Sequence, residues 1–153
     1  MKPSENEKTI ATNRSAFRDY EVIEKIEAGL QLRGGEVKSL RQARANLKGS
    51  FARIEKEEIF LYNLHITPYE YATDMEVNPI RVRKLLLHKS QIKRLIGKVM
   101  QKGFTLVPLR LYFKKGIIKT ELALVKGKKL YDKRYDLKKR ETDLEIKRKF
   151  KYQ

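Results

Sequence analysis

The segment from Gly29 to Ser39 is the part of the sequence that most nearly approaches a phosphate-binding loop, because it holds three glycines, a lysine and a serine. In a nucleotide-hydrolysing loop, glycine, lysine and serine or threonine stand next to one another, so that a helix N-terminus, an ammonium and a hydroxyl converge on one phosphate. Here two residues separate Gly35 from Lys38. The spacing therefore favours an ordinary turn and argues against nucleotide hydrolysis.

Residues suited to acid–base, nucleophilic or metal chemistry are scarce. The chain has two histidines and no cysteine, which excludes disulfides, thiolate zinc sites and iron–sulfur clusters. His65 lies in an apolar segment and His88 precedes a predicted helix, and neither belongs to a recognisable catalytic triad. Glu55, Glu57 and Glu58 occupy a predicted hairpin tip and are interpreted as a solvated turn. We therefore expect a protein that is not an enzyme and that uses no cofactor and no metal.

Positive charge is the strongest functional signal in the sequence. Lysine and arginine number 36 against 19 aspartates and glutamates, so the net charge is +17. Repulsion between these excess positive charges destabilises a compact chain, and binding to a polyanion such as nucleic acid reduces that repulsion. Proteins that bind an anionic membrane surface usually carry their positive charge on one amphipathic helix, whereas in this sequence the positive charge is spread along the chain. Since there is also no apolar run of about 18 residues and no apolar leader, we expect a nucleic-acid partner, no membrane contact and a cytoplasmic location.

Three groups of cations lie where predicted strands or hairpins end. They are Arg81, Arg83 and Lys84; Lys126, Lys128 and Lys129; and Lys114, Lys115 and Lys119. Aromatic residues stand close to them in sequence, at Tyr112, Phe113 and Tyr131. Cations that grip a phosphate backbone beside rings that stack on bases are typical of RNA-binding surfaces. A single lysine at a strand end can be merely solvated, but the groups together favour RNA.

The elements that must position these residues are mostly strands. Alternating apolar residues predict strands at 20–32, 51–55, 59–66, 105–113 and 117–125, and helical spacing predicts helices at 36–45 and 91–101, the latter with Ser90 as N-cap. In the first strand the even-numbered residues are expected to be buried, and in the last strand Ile118, Leu122 and Leu124 are expected to face away from Lys119 and Glu121. Short connections make the strands antiparallel, which predicts a mainly β fold: a small closed or nearly closed barrel.

The two ends of the chain differ from this body. Residues 1–12 are polar and are predicted to be a disordered arm. Residues 13–129 form the predicted barrel domain. Residues 130–153 carry many charges and only a sparse apolar stripe, so we expect a flexible basic tail that is disordered when free and becomes ordered against a partner.

Several short motifs, read together, resemble one protein family. They are Asn13-Arg14; Glu27-Ala28-Gly29 with Val37-Lys38-Ser39-Leu40-Arg41; Arg83-Lys84-Leu85-Leu86-Leu87; and Gly127-Lys128-Lys129-Leu130-Tyr131-Asp132-Lys133-Arg134. In this order, over about residues 10–140, they resemble the SmpB family of SsrA (tmRNA)-binding proteins. Gly35 departs from the pattern, because relatives often carry a larger residue there.

The resemblance implies an OB-like antiparallel β-barrel with two or three helices, which would act as an adaptor in trans-translation. Such a protein binds the tRNA-like domain of tmRNA, brings it to stalled ribosomes, and probes the decoding centre and the empty mRNA path of the small ribosomal subunit with its tail. We expect it to be a monomer on RNA. The alternative is a generic single-strand or ribosomal RNA-binding barrel without preference for tmRNA.

The resemblance also implies individual contact residues. RNA-gripping positions correspond to Asn13, Arg14, Glu27, Leu86 and Lys119, and tail positions near the decoding centre to Tyr131, Asp132, Lys133 and Arg134. To the RNA contacts we add the nearby cations Arg81, Arg83, Lys84, Lys126, Lys128 and Lys129. Glu27 could accept a hydrogen bond from a base amino group or a 2′-hydroxyl. For Leu86 the sequence leaves two readings open, a core residue or an RNA contact.

Overall fold

The computed structural model describes residues 7–71, 78–101 and 103–128. In these ranges the chain forms strands β1 (Glu7–Thr12), β2 (Tyr20–Leu30), β3 (Ala45–Asn46), β4 (Phe51–Glu55), β5 (Glu58–Tyr62), β6 (His65–Ile66), β7 (Arg83–Leu86), β8 (Phe104–Lys114) and β9 (Ile117–Gly127), and helices α1 (Arg14–Asp19), α2 (Gly34–Arg41) and α3 (Lys89–Val99).

The main sheet closes on itself. Its seven strands follow the order β1-β8-β4-β5-β7-β2-β9, and β8 also pairs with β9, so that β8, β4, β5, β7, β2 and β9 form a ring. Every pairing is antiparallel. Strand β8 is long enough to hold β1 and β4 on the same edge, one near each end. This ring of strands with three helices confirms the predicted mainly β, antiparallel fold.

The core fills the inside of the ring, and a second apolar cluster lies outside it under α1. Strand β9 serves both: Ile118, Leu122 and Leu124 belong to the inner core, whereas Ala123 and Val125 pack with Ala16 of α1. The two faces predicted for this strand are therefore confirmed. An outer cluster is possible because α1 covers a face of the sheet that would otherwise meet water.

The burial pattern of β2 changes midway along the strand. Ile26 and Ala28 enter the inner core as predicted, but Tyr20 and Val22 pack against the outer cluster. The pairing with β9 shifts register between Val22 and Glu24. An extra residue at such a bulge turns the following side chains to the opposite face. The even-numbered residues are therefore the less exposed ones in the first part of β2, as predicted, but the prediction of one shared buried face is wrong for Tyr20 and Val22.

The predicted disordered arm is wrong for its second half. Residues from Glu7 to Thr12 form β1, which pairs with β8 from Lys114 to Arg110. An ion pair of 2.9 Å between Arg110 Nη2 and Glu7 Oε2 adds to the pairing. This strand forms by pairing with the edge of β8, which lies about 100 residues away in the sequence. The polar composition of the segment itself therefore did not indicate a strand. Residues 1–6, and the tail predicted at 130–153, lie outside the described residues.

Helix α3 begins earlier than predicted. Its N-cap is His88, not Ser90, and the His88 backbone N–H donates to Gln91 Oε1 at 3.1 Å. This start brings His88 to the end of β7, only two residues beyond Leu86. Helix α2 also begins two residues before the predicted position, at Gly34.

Candidate RNA interface

Three predicted RNA contacts that are far apart in sequence meet in one cleft. Strand β2 lies between β7 and β9, and its Gly29 is the direct partner of Leu86 on one side and of Lys119 on the other. A cleft of about 500 Å³ opens over this rung of the sheet, and we call it the β2 cleft. It is lined by Glu27, Gly29, Leu86, Leu87, His88, Gln91 and Lys119.

Leu86 is part of the cleft wall and not of the core. Its side chain is 51% exposed, whereas its neighbour Leu85 is 1% exposed and points into the ring. The core reading of Leu86 is therefore wrong. Gly29 allows Leu86 to come this close, because a Cβ atom at position 29 would lie 3.3 Å from the Leu86 Cβ. The cleft thus presents an apolar surface between a carboxylate and an ammonium.

Glu27 is the anionic member of the β2 cleft. Its Oε2 accepts hydrogen bonds from Tyr112 Oη at 2.5 Å and Lys114 Nζ at 3.2 Å. The pKa of Glu27 is lowered, mainly by the Tyr112 hydrogen bond and further by Lys114, although partial burial acts in the opposite direction. Burial, together with the bond to Glu27, raises the pKa of the Tyr112 phenol. At neutral pH the phenol is therefore a donor, and Glu27 is purely an acceptor.

Lys119 is the cationic member of the β2 cleft. Its charge contributes to lowering the pKa of Glu27. Within the described ranges its ammonium forms no ion pair, in contrast to Lys114, which pairs with Glu27 at 3.2 Å. An ammonium placed in this way can meet a phosphate without first breaking a protein contact.

Asn13 and Arg14 lie at a second cleft, of about 370 Å³, which we call the α1 cleft. It is lined by Thr12, Asn13, Arg14, Ser15, Arg18, Asn46 and Lys48. The Asn13 side chain is 4% exposed and donates from Nδ2 to the Pro108 carbonyl at 2.9 Å. Its Oδ1 accepts from Ser15 Oγ at 3.0 Å. In this structure Asn13 anchors the start of α1 to β8, while Arg14 is exposed to solvent.

Arg83, predicted as an RNA contact, is buried instead. Its side chain is 0% exposed, and it donates from Nε to Glu36 Oε2 at 2.6 Å and from Nη1 to the Leu64 carbonyl at 2.5 Å. A guanidinium without accessible surface cannot touch RNA, so this prediction is wrong for the present structure. The run of charges around Arg83 resembled a surface patch, but β7 turns alternate residues inward.

Glu36 gathers two arginines at this buried site. Besides Arg83 it accepts from Arg81 Nη2 at 2.5 Å and from the Arg33 backbone N–H at 2.9 Å. Burial alone would raise the pKa of Glu36, but these hydrogen bonds and the Arg83 charge bring it below its usual range. The cluster joins α2 to β7, and hence stiffens the strand that carries Leu86.

The remaining predicted cations lie outside both clefts. Lys84 pairs with Glu58 at 3.1 Å, and the Lys126 ammonium lies 5.8 Å from the centre of the Phe104 ring. The backbone N–H of Lys128 donates to the Asp19 carbonyl at 3.2 Å. Five further predicted contacts lie outside the described residues: Lys129, Tyr131, Asp132, Lys133 and Arg134.

Several cleft residues were not predicted as contacts. His88 and Gln91 line the β2 cleft, and Arg18 and Lys48 line the α1 cleft. No spacing in the sequence marks them, because strand pairing and the early start of α3 bring them there.

Among residues 7–71, 78–101 and 103–128 there is no group of three or more acidic or histidine side chains that could hold a metal ion. The same ranges contain no helix with the length and apolarity needed to cross a bilayer.

Comparison with known proteins identifies close relatives. The family model described as "SmpB protein" matches residues 10–152. The SsrA-binding protein of Caldicellulosiruptor saccharolyticus is 59% identical over 144 residues, which cover 94% of this chain and 91% of that protein. The SsrA-binding protein of Syntrophobacter fumaroxidans is 56% identical over 149 residues, covering 96% of this chain and 92% of that one.

A solved structure agrees with the fold as well as with the sequence. It is described as "tmRNA-SmpB: a journey to the center of the bacterial ribosome", and its matching chain is 53% identical with a TM-score of 0.66. The match covers 78% of this chain and 85% of that chain. Since the family model and the relatives both span nearly the whole sequence, this chain belongs to the SmpB family.

Proposed function

We infer that this protein is a tmRNA-binding adaptor of trans-translation. Its relatives are SsrA-binding proteins over almost their full length, and its structural counterpart is described as tmRNA–SmpB in the bacterial ribosome. The adaptor binds the tRNA-like domain of tmRNA and brings it to stalled ribosomes. The observation in the molecule itself that carries this function is the β2 cleft, because it brings together Leu86 and Lys119, the two partners of Gly29, with Glu27 two residues earlier on β2.

The chemistry of the β2 cleft suits folded RNA. Lys119 can pair with a phosphate, and release of condensed counterions makes that contact favourable. Glu27 can accept from a 2′-hydroxyl or a base amino group, which a bare phosphate backbone does not offer. Leu86 supplies an apolar surface for a ribose or a base face. These complementary groups support recognition of an RNA shape with exposed sugar or base edges, over attraction to charge alone.

We assign a different partner to the C-terminal tail. Strand β9 ends at Gly127, so the tail leaves the body beside Lys128. Positions 131–134 carry the residues that the family uses near the decoding centre, and we propose that they contact the small ribosomal subunit there. Body and tail then serve two RNAs, tmRNA and ribosomal RNA. This work would be done by a cytoplasmic protein that needs no catalytic step of its own.

The division of labour is tested by cutting the chain after Lys129. The shortened protein should bind the isolated tRNA-like domain with nearly the parental affinity. The logarithm of its association constant should fall linearly with the logarithm of the salt concentration, because the body supplies the phosphate contacts. It should not support tagging of stalled peptides on ribosomes. Loss of RNA binding at low salt would contradict the assignment of the tRNA-like domain to the body. Equal affinity for an unstructured RNA strand of the same length would favour a generic RNA-binding protein instead.

A further inference from the structure

We propose that Tyr112 is a positioning residue of the β2 cleft, which fixes the Glu27 carboxylate so that one oxygen is left for the RNA. The proposal rests on the proposed function, since it concerns how that same cleft recognises RNA. Tyr112 was noted in the sequence only as an aromatic residue near a group of lysines.

Tyr112 reaches Glu27 across an intervening strand. It lies on β8 opposite Lys119 of β9, and Glu27 lies on β2, beyond β9. The residue is 2% exposed and does not line the cleft, but its hydroxyl donates to Glu27 Oε2 at 2.5 Å. A buried phenol whose polar tip bonds to a cleft residue has its direction fixed by packing.

The ring of Tyr112 is held from the outside as well. The Arg110 guanidinium carbon lies 4.0 Å from the ring centre, a cation–π distance. Arg110 is in turn fixed by Glu7 of β1 at 2.9 Å and Glu121 of β9 at 3.2 Å. These contacts support the ring in its observed position, and they connect the Glu27 carboxylate through Tyr112 to β8, β1 and β9.

The two oxygens of Glu27 are therefore not equivalent. Oε2 accepts from Tyr112 at 2.5 Å and from Lys114 at 3.2 Å, whereas Oε1 has only the longer 3.4 Å contact to Lys114. A glutamate on a sheet surface otherwise loses rotamer freedom when it binds a partner, and this loss weakens binding. With Oε2 anchored, that ordering has already occurred in the free protein, and Oε1 can accept one donor from RNA.

Anchoring through a phenol has an effect on charge as well. The Tyr112 hydrogen bond is the largest cause of the lowered pKa of Glu27, so its removal raises that pKa. If the anionic form binds RNA, binding is lost as the pH falls through the pKa of Glu27, and without Tyr112 Oη the loss begins at a higher pH. Other charged or titratable groups face Glu27 from the elements around it: Lys114 and Arg110 of β8, Lys119 and Glu121 of β9, and His88 at the start of α3. Because these are unchanged between parent and variant, the shift between the two curves isolates Tyr112.

The experiment uses the full chain and compares four single substitutions and one double substitution, Tyr112→Phe with Glu27→Gln. Tyr112→Phe removes only the hydroxyl and keeps the ring under Arg110. Glu27→Asp keeps the charge but shortens the reach to Tyr112, and Glu27→Gln removes the charge. Tyr62→Phe is the matched control, because Tyr62 Oη also donates to a carboxylate, Glu55 Oε1 at 2.6 Å, on the hairpin of β4 and β5, outside the β2 cleft. Affinity is measured for the tRNA-like domain and for an RNA duplex of equal length, from about pH 3 to about pH 7, because the lowered pKa of Glu27 lies below the ordinary glutamate value of about 4.3.

We expect Tyr112→Phe to weaken binding of the tRNA-like domain about tenfold, within the range for a hydrogen bond to a charged group, and to leave duplex binding unchanged. As the pH is lowered, the RNA affinity of Tyr112→Phe should begin to fall at a higher pH than that of the parent. Glu27→Asp, which leaves the buried ring intact, should show a similar loss of affinity. Tyr112→Phe should add nothing further in the Glu27→Gln background, and Tyr62→Phe should match the parent.

Two results would overturn the positioning role. One is an undiminished affinity and unshifted pH curve in Tyr112→Phe while Glu27→Gln binds weakly. The other is a loss in Tyr112→Phe that is fully additive to that of Glu27→Gln, because it would show that Tyr112 acts without Glu27. Failure of the proposed function appears differently: the parent protein itself would then fail to prefer the tRNA-like domain over the duplex.

Discussion

The buried cluster of Glu36, Arg81 and Arg83 gives the sharpest test of the fold, through the substitution Glu36→Gln. Glutamine has nearly the same shape, so packing is preserved while the negative charge is removed. Arg83 would then keep its carbonyl partners at Leu64 and Pro79 but lose its only carboxylate within the described residues. The substitution therefore isolates the cost of a buried cation without a counter-charge.

The expected magnitude follows from the exposure of the two arginines. Removing one partner of a buried ion pair destabilises a protein by about 3–5 kcal/mol. The Arg83 side chain is 0% exposed and cannot recruit water, whereas that of Arg81 is 26% exposed and can be hydrated in part. Only one charge is stranded completely, which places the loss near the lower end, at about 3 kcal/mol. For a chain of this length that lowers Tm by about 10 °C.

Thermal and urea unfolding followed by circular dichroism measure this loss, and Glu58→Gln is the matched control. Glu58 pairs with Lys84, also on β7, but the two side chains are 48% and 37% exposed. Such a surface pair contributes about 0–1 kcal/mol, so the control should unfold within a few degrees of the parent. Adding Arg83→Met to Glu36→Gln should recover part of the stability, because it removes the stranded charge. Equal Tm values for Glu36→Gln and Glu58→Gln would refute the reasoning.

The pH dependence of unfolding supplies an independent check on the same cluster. The pKa of Glu36 is lowered in the folded protein, so the stability it contributes is present above its unfolded pKa and is lost as the pH falls through the folded one. Glu36→Gln should therefore be less sensitive to acid than the parent over that interval. The difference between the two unfolding curves, taken at each pH, measures the contribution directly.

Three further predictions concern RNA and ribosome binding. Lys119→Ala should weaken binding of the tRNA-like domain by about 1–2 kcal/mol and should reduce the slope of log affinity against log salt by about one, as measured by salt titration. The control Lys56→Ala, at the hairpin tip, should change neither quantity. An unchanged slope for Lys119→Ala would exclude a phosphate contact. Gly29→Ala should weaken RNA binding more than it lowers Tm, because the added Cβ, 3.3 Å from the Leu86 Cβ, displaces a cleft side chain; equal losses would point to a purely structural glycine. Alanine at all of residues 132–134 should leave tmRNA binding intact and block tagging in a stalled-ribosome assay, and parental tagging would contradict the proposed role of the tail.

Local patterns in the sequence predicted those elements whose partners are close along the chain. The hairpin of β8 and β9 is the clearest case, since Lys115 and Gly116 both have positive φ, at 51° and 78°, in a tight turn between two apolar segments. That combination is typical of turns that match the twist of paired strands. The two faces of β9 could also be predicted, because the register shift in this hairpin lies in β8, between Pro108 and Arg110, and leaves the alternation along β9 intact.

Features that depend on distant partners could not be predicted in this way. β1 has one large apolar residue, Ile10, and forms because β8 offers it an edge. The bulge at Val22 leaves no mark in composition. Arg83 has the type and the neighbours of a surface cation, and only its pairing within the ring shows that it points inward, toward Glu36. In each case the deciding interaction joins residues far apart in the chain.

Ion pairs between neighbouring elements help a chain with net charge +17 to keep an ordered body, and arginines supply the most buried of these pairs within the described residues. Within the described residues five arginines pair with glutamates: Arg81 and Arg83 with Glu36, Arg94 with Glu24, Arg44 with Glu70, and Arg110 with Glu7 and Glu121. The planar guanidinium fork suits carboxylates, and it tolerates burial better than an ammonium does. Each pair cancels one positive and one negative charge, so it leaves the net charge unchanged but removes a cation from those that can meet a phosphate. The salt slope counts phosphate contacts and not net charge, so the paired arginines should add nothing to it, and cations that form no ion pair within the described residues, such as Lys119, should account for it.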